Sequence, residues 1–167
     1  MKKVAFYTLG CKVNQYETEA MLELFEKDGY EQVNSEEYAD VYVINTCTVT
    51  NMGDKKSRQI ISRARRLNPD AIIAVVGCYS QIAPKEVSAI EGVDVVLGTR
   101  NKGDVVYYVN KARDEQTAQI YVESVLRNKK FEALNIEEYQ DKTRAFLKIQ
   151  DGCNRFCAYC IIPDRKS

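Results

Sequence analysis

Ala71-Ile72-Ile73-Ala74-Val75-Val76-Gly77-Cys78 is an unbroken apolar run that ends in a glycine and a cysteine. A strand apolar at every position is buried on both faces, and in parallel sheets helices supply the two covers. The same order recurs twice upstream. Val4 to Leu9 is a β-rich run that stops at Gly10-Cys11, and an amphipathic stretch follows from Gln15 to Lys27 with Met21, Leu22, Leu24 and Phe25 on its apolar face. Asp40 to Asn45 runs into Thr46-Cys47, then into a charged helix to Leu67 carrying Ile60, Ile61, Ala64 and Leu67 at helical spacing. Asn68-Pro69 ends that helix. Downstream, Val93 to Leu97 precedes Gly98 and a short helix from Val105 to Ala112. Alternating strands and helices predict an α/β fold with a doubly wound, mostly parallel, flavodoxin-like sheet.

The 167 residues suffice for one well-buried domain and a fragment of another. Twenty-four basic and 24 acidic residues cancel, so an RNA contact must come from a local patch. Met1-Lys2-Lys3 leads into an apolar run too short for a signal peptide, and no stretch has the length of a transmembrane helix. The expectation is a cytoplasmic protein without a membrane partner, whose six cysteines are reduced thiols. The absence of histidine removes histidine-containing zinc sites and histidine acid–base catalysis, leaving thiolate chemistry.

Ligands of doubly wound sheets bind outside the carboxyl ends of the strands. Cys11, Cys47 and Cys78 each fall just past a strand end, far apart in sequence but convergent in topology. Any one of them alone reads as a small buried apolar residue. Three at the same topological position read as metal ligands. Gly10 and Gly77 allow close backbone approach, and Thr46 and Ser80 are expected to offer donors to a cluster's sulfurs. No glycine-rich phosphate fingerprint follows the first strand, so a nucleotide-binding reading is weak. Tyr7, Tyr42 and Tyr79 near the strand ends read as packing residues.

The other three cysteines crowd into Asp151-Gly152-Cys153-Asn154-Arg155-Phe156-Cys157-Ala158-Tyr159-Cys160, beyond an expected strand from Arg144 to Ile149. Three thiolates at this spacing wrap one small object with no fourth ligand nearby. Structural zinc takes four ligands and a ferredoxin cubane normally four cysteines, so a cubane held by three leaves one iron open. A thioredoxin-like pair at Cys157 and Cys160, or a zinc knuckle short of a ligand, are the competing readings.

The Cx3Cx2C run with Tyr159 before its last cysteine resembles the signature of radical S-adenosylmethionine enzymes. TLGCKVNQYETE at Thr8 to Glu19, VINTCTVTNMGDKKSR at Val43 to Arg58, VVGCYSQ at Val75 to Gln81 and KIQDGCNRFCAYCIIP at Lys148 to Pro163 together resemble the methylthiotransferase family. The resemblance implies one 4Fe-4S cluster on Cys11, Cys47 and Cys78, and a second on Cys153, Cys157 and Cys160 that binds S-adenosylmethionine, with Tyr159 as a contact. It also implies sulfur insertion and methylation at an unactivated C–H bond, tRNA as substrate and an electron donor as partner. The LGCKVNQYE form resembles members that modify threonylcarbamoyladenosine beside the anticodon; isopentenyladenosine of tRNA is the alternative substrate.

Residues 1–113 are read as the cluster-binding domain, 114–142 as a polar connector with an edge strand near Ile120 to Val125, and 143–167 as the start of a radical S-adenosylmethionine domain. The family's barrel is missing after Ser167, so the chain alone is expected to be inactive, and no catalytic residue is assigned within it. Lys55, Lys56, Arg58, Arg63, Arg65 and Arg66 line the helix after Cys47 and could meet phosphates, although such a run also suits a solvated helix face. Two functions of other classes compete with catalysis. One is an iron–sulfur electron-transfer module, and the other is a zinc-stabilised RNA-binding module.

Overall fold

The computed structural model describes residues 1–47, 51–123, 134, 136, 148–150, 153, 155, 157, 158 and 160, with backbone alone over 51–54. Strand β1 (Lys2–Thr8) leads into helix α1 (Lys12–Lys27), followed by β2 (Tyr30–Val33) and β3 (Val41–Thr46). Helix α2 (Asn51–Leu67) then returns the chain to β4 (Ile72–Gly77), which passes directly into two short helices, α3 (Cys78–Ile82) and α4 (Pro84–Ser88). Strand β5 (Val95–Leu97), a 3-10 turn (Lys102–Asp104), α5 (Val105–Glu115) and β6 (Gln119–Tyr121) complete the described elements.

The strands lie in the order β2-β1-β3-β4-β5-β6, and every neighbouring pair is parallel. Parallel neighbours cannot be joined by hairpins, so each connection crosses the sheet and brings a helix or a long loop to one of its faces. The order of the first five strands is that of the flavodoxin-like doubly wound fold. The winding direction reverses between β1 and β3, and that is where a crevice opens at the carboxyl edge.

Side-chain alternation sorts the core into two layers. Val4, Val41, Val43, Ala74, Val76, Val95 and Leu97 face α1 and α5, meeting Met21, Leu22, Phe25, Val105 and Val109. Ala5, Tyr42, Ile44, Ile73, Val75 and Val96 face the other way and meet Ile61 and Ala64 of α2, Tyr79 of α3 and Val87 of α4. All six residues of β3 are buried, which is why its sequence lacks a polar face. Each fully buried side chain such as Phe25 or Ile44 contributes roughly 1.5–3 kcal/mol relative to exposure. Among the described residues, no helix is long and apolar enough to cross a membrane.

The expected strand–helix units are present, with three differences. Strand β2 was not expected, because Tyr-Glu-Gln-Val at an edge carries two exposed polar residues and no apolar run. The cysteine-bearing strands are therefore the first, third and fourth rather than the first three. Helix α1 starts at Lys12, ahead of the expected Gln15, because Cys11 in extended conformation is its N-cap and Asn14 is already buried in its first turn. The third unit enters α3 and α4 without a loop. The edge strand expected near Ile120 to Val125 is present as β6, one residue earlier and pairing with β5. Residues 144–147 of the expected later strand lie outside the described residues, and Lys148 and Ile149 are in no strand.

Candidate metal centre

Cys11 caps α1 beyond β1, Cys47 follows the last residue of β3, and Cys78 opens α3 after β4. These strands are neighbours in the order β1-β3-β4, with Thr8 opposite Asn45 and Thr46 opposite Gly77. The three cysteines thus share the carboxyl edge, and Cys11 and Cys47 flank the crevice where the winding reverses. None of the three is in a disulfide; Cys11 is exposed, whereas Cys47 and Cys78 are 9% and 3% exposed. The edge opens to solvent on the Cys11 side.

Two glycines let the backbones close up. Gly10 has φ +102°, and a Cβ added there would stand 2.6 Å from Cys47 Sγ. Gly77 has φ +100°, and its Cβ would stand 2.6 Å from the Thr46 carbonyl oxygen. Both values lie where L side chains are strained, so the Cys11 and Cys78 loops each depend on the glycine immediately before the cysteine.

Buried polar side chains bind these loops together. Asn14 Nδ2 donates to the carbonyls of Leu9 (2.7 Å) and Thr46 (3.0 Å), one bond to each loop, and the Cys11 thiol lies 3.9 Å from Asn14 Oδ1. Asn45 Nδ2 donates to the Asn14 carbonyl (2.9 Å) and to Thr18 Oγ1 (3.1 Å). Lys102 Nζ reaches Asn45 Oδ1 at 3.2 Å and forms a fully buried ion pair with Glu17. Gln81 accepts from the Thr99 backbone N–H (3.0 Å) and donates to the Glu123 carbonyl (2.9 Å), tying α3 to the ends of β5 and β6.

The expected donors to cluster sulfurs are otherwise engaged. Thr46 Oγ1 donates to the Val76 carbonyl at 2.6 Å, and Ser80 Oγ donates to the Val75 carbonyl at 2.9 Å. Both hydroxyls are fully buried, and strand-end carbonyls are the acceptors within reach. Tyr42 and Tyr79 are packing residues as expected: Tyr42 OH donates to the Glu37 carbonyl (2.8 Å) and Tyr79 OH accepts from Arg58 (2.9 Å). Burial pushes the Tyr42 phenol above its ordinary pKa.

Among the described residues, no group of three or more Cys, Asp or Glu side chains closes around a single metal position. A mononuclear zinc site needs its thiolates at about 2.3 Å from one ion. A multi-iron cluster instead gives each thiolate its own iron, so three soft sulfur donors along one edge, none of them in a disulfide, fit that donor set. In the later run, the Cys160 N–H donates to the Cys157 carbonyl at 2.9 Å and the Arg155 N–H approaches Cys153 Sγ at 3.4 Å. Cys157 is exposed and Cys153 and Cys160 are half-buried; Tyr159 lies outside the described residues.

The basic helix divides. Lys55, Lys56, Arg58, Arg63 and Arg66 are exposed on α2, and Lys55, Arg58 and Arg66 line an open concavity of about 300 Å³ with Gln59 and Ser62. Arg63 pairs with Glu36 at 2.9 Å and Arg58 with Glu86 at 3.7 Å. Arg65 does not belong to this face. It donates to the carbonyls of Ala71 (3.0 Å) and Gly92 (2.6 Å) and pairs with Asp94 (2.9 Å), clamping the amino ends of β4 and β5 away from the cysteines.

The roles of Glu17, Asn45 and Lys102 were not anticipated from the sequence. One signal was available: Glu17 lies four residues before Met21, and Met21 four before Phe25, so a carboxylate interrupts the apolar stripe of α1.

Residues 3–98 match the family model described as Uncharacterized protein family UPF0004. A protein of Bacillus subtilis named threonylcarbamoyladenosine tRNA methylthiotransferase MtaB is 54% identical over 98% of this chain and 36% of its own length. An Aquifex aeolicus protein of the same name is 43% identical over 96% of this chain and 39% of its own length. A Clostridium botulinum protein named tRNA-2-methylthio-N(6)-dimethylallyladenosine synthase is 32% identical over 93% of the chain and 36% of its own length. The chain thus spans a little over a third of the length of these relatives. On the match across most of its sheet, the chain belongs to the family UPF0004.

Proposed function

We propose that the chain is the cluster-binding part of a tRNA methylthiotransferase acting on threonylcarbamoyladenosine beside the anticodon. The observation that carries the reading is the junction of Cys11, Cys47 and Cys78 on three adjacent strand ends, two of them locked together by Asn14. Relatives named for this activity at 54% and 43% identity support the substrate, against 32% for the relative named for dimethylallyladenosine.

In this reading Cys11, Cys47 and Cys78 hold one 4Fe-4S cluster and Cys153, Cys157 and Cys160 a second that takes S-adenosylmethionine, with Tyr159 beside it. When bound, the clusters would supply a free iron for a sulfur ligand and one-electron cleavage of S-adenosylmethionine. The chain's own residues do the rest. Asn14 and Asn45 fix the loops before any cluster is present, Gly10 and Gly77 keep Cβ atoms out of the approach, and the exposed Cys11 side leaves the edge accessible. The cations of α2 would meet phosphates of the tRNA, since this helix starts four residues past Cys47. An electron donor completes the set of partners, and the cytoplasm is the expected location.

Mass spectrometry of tRNA nucleosides from cells lacking the protein tests the substrate. Loss of methylthiolated threonylcarbamoyladenosine is expected. An unchanged level, with loss of the methylthiolated dimethylallyl nucleoside instead, would reject the assignment in favour of the rival substrate.

A further inference from the structure

Glu17 sits fully buried on α1 with both carboxylate oxygens engaged by lysines from distant parts of the chain. Oε2 accepts from Lys102 Nζ, and Oε1 accepts from Lys148 Nζ at 3.0 Å. The three side chains are 0%, 0% and 3% exposed. Lys148 lies 131 residues from Glu17 in sequence and five before Cys153. The neighbouring residue on α1 makes a second tie, because Tyr16 OH donates to the Leu134 carbonyl at 2.7 Å in a buried contact. Two adjacent helix positions thus receive the returning chain.

The bonds continue to the cysteine edge. Lys102 donates to Asn45, Asn45 to the Asn14 carbonyl, and Asn14 to the carbonyls of Leu9 and Thr46, which flank Cys11 and Cys47. An apolar contact could hold the returning segment as strongly, since buried charges incur a large desolvation cost. What the charges add is register: each ammonium must meet its own carboxylate oxygen, so the segment has one seat. Five residues span at most about 18 Å, so seating Lys148 confines Cys153 to that radius around it.

We propose that Glu17, with Lys102 and Lys148, is a positioning device that sets the stretch entering Cys153 against the edge carrying Cys11, Cys47 and Cys78. The functional consequence rests on the reading that both cysteine sets serve one reaction; the seat itself does not. Lys148→Met keeps the length of the side chain and leaves the Glu17–Lys102 pair intact, and Lys148→Arg restores the charge.

Paramagnetic broadening from a nitroxide on Cys153 tests the seat, in the chain without metal and with the other five cysteines replaced by alanine. The label should broaden amides at the start of α1, since seating Lys148 there holds Cys153 within about 18 Å of that lysine. In Lys148→Met that broadening should fall at least fivefold while the amides of β3 and β4 keep their shifts, and Lys148→Arg should recover much of it. Unchanged broadening would overturn the proposal. So would shifts lost throughout β3 and β4, which would make Lys148 a support of the whole fold. Iron bound through Cys11, Cys47 and Cys78 after anaerobic loading should be the same in Lys148→Met and the unsubstituted chain. Failure of the chain to take up iron would therefore sink the cluster reading and leave the broadening result to judge the seat.

Discussion

Asn14→Ala should loosen the junction between the Cys11 and Cys47 loops without touching either cysteine. The amide donates 2.7 Å to the Leu9 carbonyl and 3.0 Å to the Thr46 carbonyl, and Asn14 is fully buried. Each intramolecular hydrogen bond contributes about 0.5–1.5 kcal/mol net, and each buried group left unpaired costs about 1–3 kcal/mol. Water entering beside exposed Cys11 can satisfy the Leu9 carbonyl more readily than the buried Thr46 one, so the expected destabilisation is roughly 2–4 kcal/mol. For a chain of this size that lowers Tm by roughly 4–16 °C. Asn14→Asp should cost more, because it turns an amide that donates to two carbonyls into a carboxylate that repels them. Urea unfolding measures both, with Thr117→Ala as the control, since its side-chain bonds to Glu115 and Gln119 are exposed. Alkylation of Cys47 by a thiol reagent supplies a second readout and should quicken in Asn14→Ala. A change below about 0.5 kcal/mol, the range of ordinary surface substitutions, would refute the role given to Asn14.

Gly77→Ala forces a methyl against the Thr46 carbonyl at a φ that L residues avoid, and should cost roughly 2–4 kcal/mol in thermal unfolding. Replacing Lys55, Lys56 and Arg66 together by alanine should weaken tRNA binding and flatten its salt dependence by about 0.7–0.9 per lost phosphate contact, with stability unchanged. Filter binding across a salt series would expose an error here as an unaltered slope. Burial raises the phenol pKa of Tyr30 and Tyr42 above the ordinary value of 10.0. The folded state then holds these protons more tightly than the unfolded chain, so the associated stability is complete below about pH 10 and is lost as pH rises through the folded values. Denaturant midpoints between pH 8.5 and 11 should fall alongside tyrosinate absorbance, and a midpoint independent of pH there would contradict the linkage.

The sequence announced the sheet through strands that must be buried twice, and these are the strands it located best: β3 and β4 have no polar face, so their pattern has one reading. Strand β2 was invisible because an edge strand needs little apolar surface, and Glu31 and Gln32 look like any loop. The cysteines could be placed at strand ends because Gly10-Cys11 and Gly77-Cys78 each close an apolar run. What holds those ends was legible only in part. Asn14, Asn45, Glu17 and Lys102 act through partners as far as 131 residues away, and no local pattern encodes such pairings. Arg65 shows the converse: within a run of cations it looked like part of a phosphate-facing patch, yet its position on the helix turns it toward the carbonyls of Ala71 and Gly92.

The iron and sulfide content of the chain after anaerobic reconstitution tests the central claim most directly, measured in a background where Cys153, Cys157 and Cys160 are alanine. Iron and acid-labile sulfide should bind in equal amounts and be lost on replacing Cys11, Cys47 or Cys78. Zinc without sulfide, or iron retained when all three are alanine, would contradict the account.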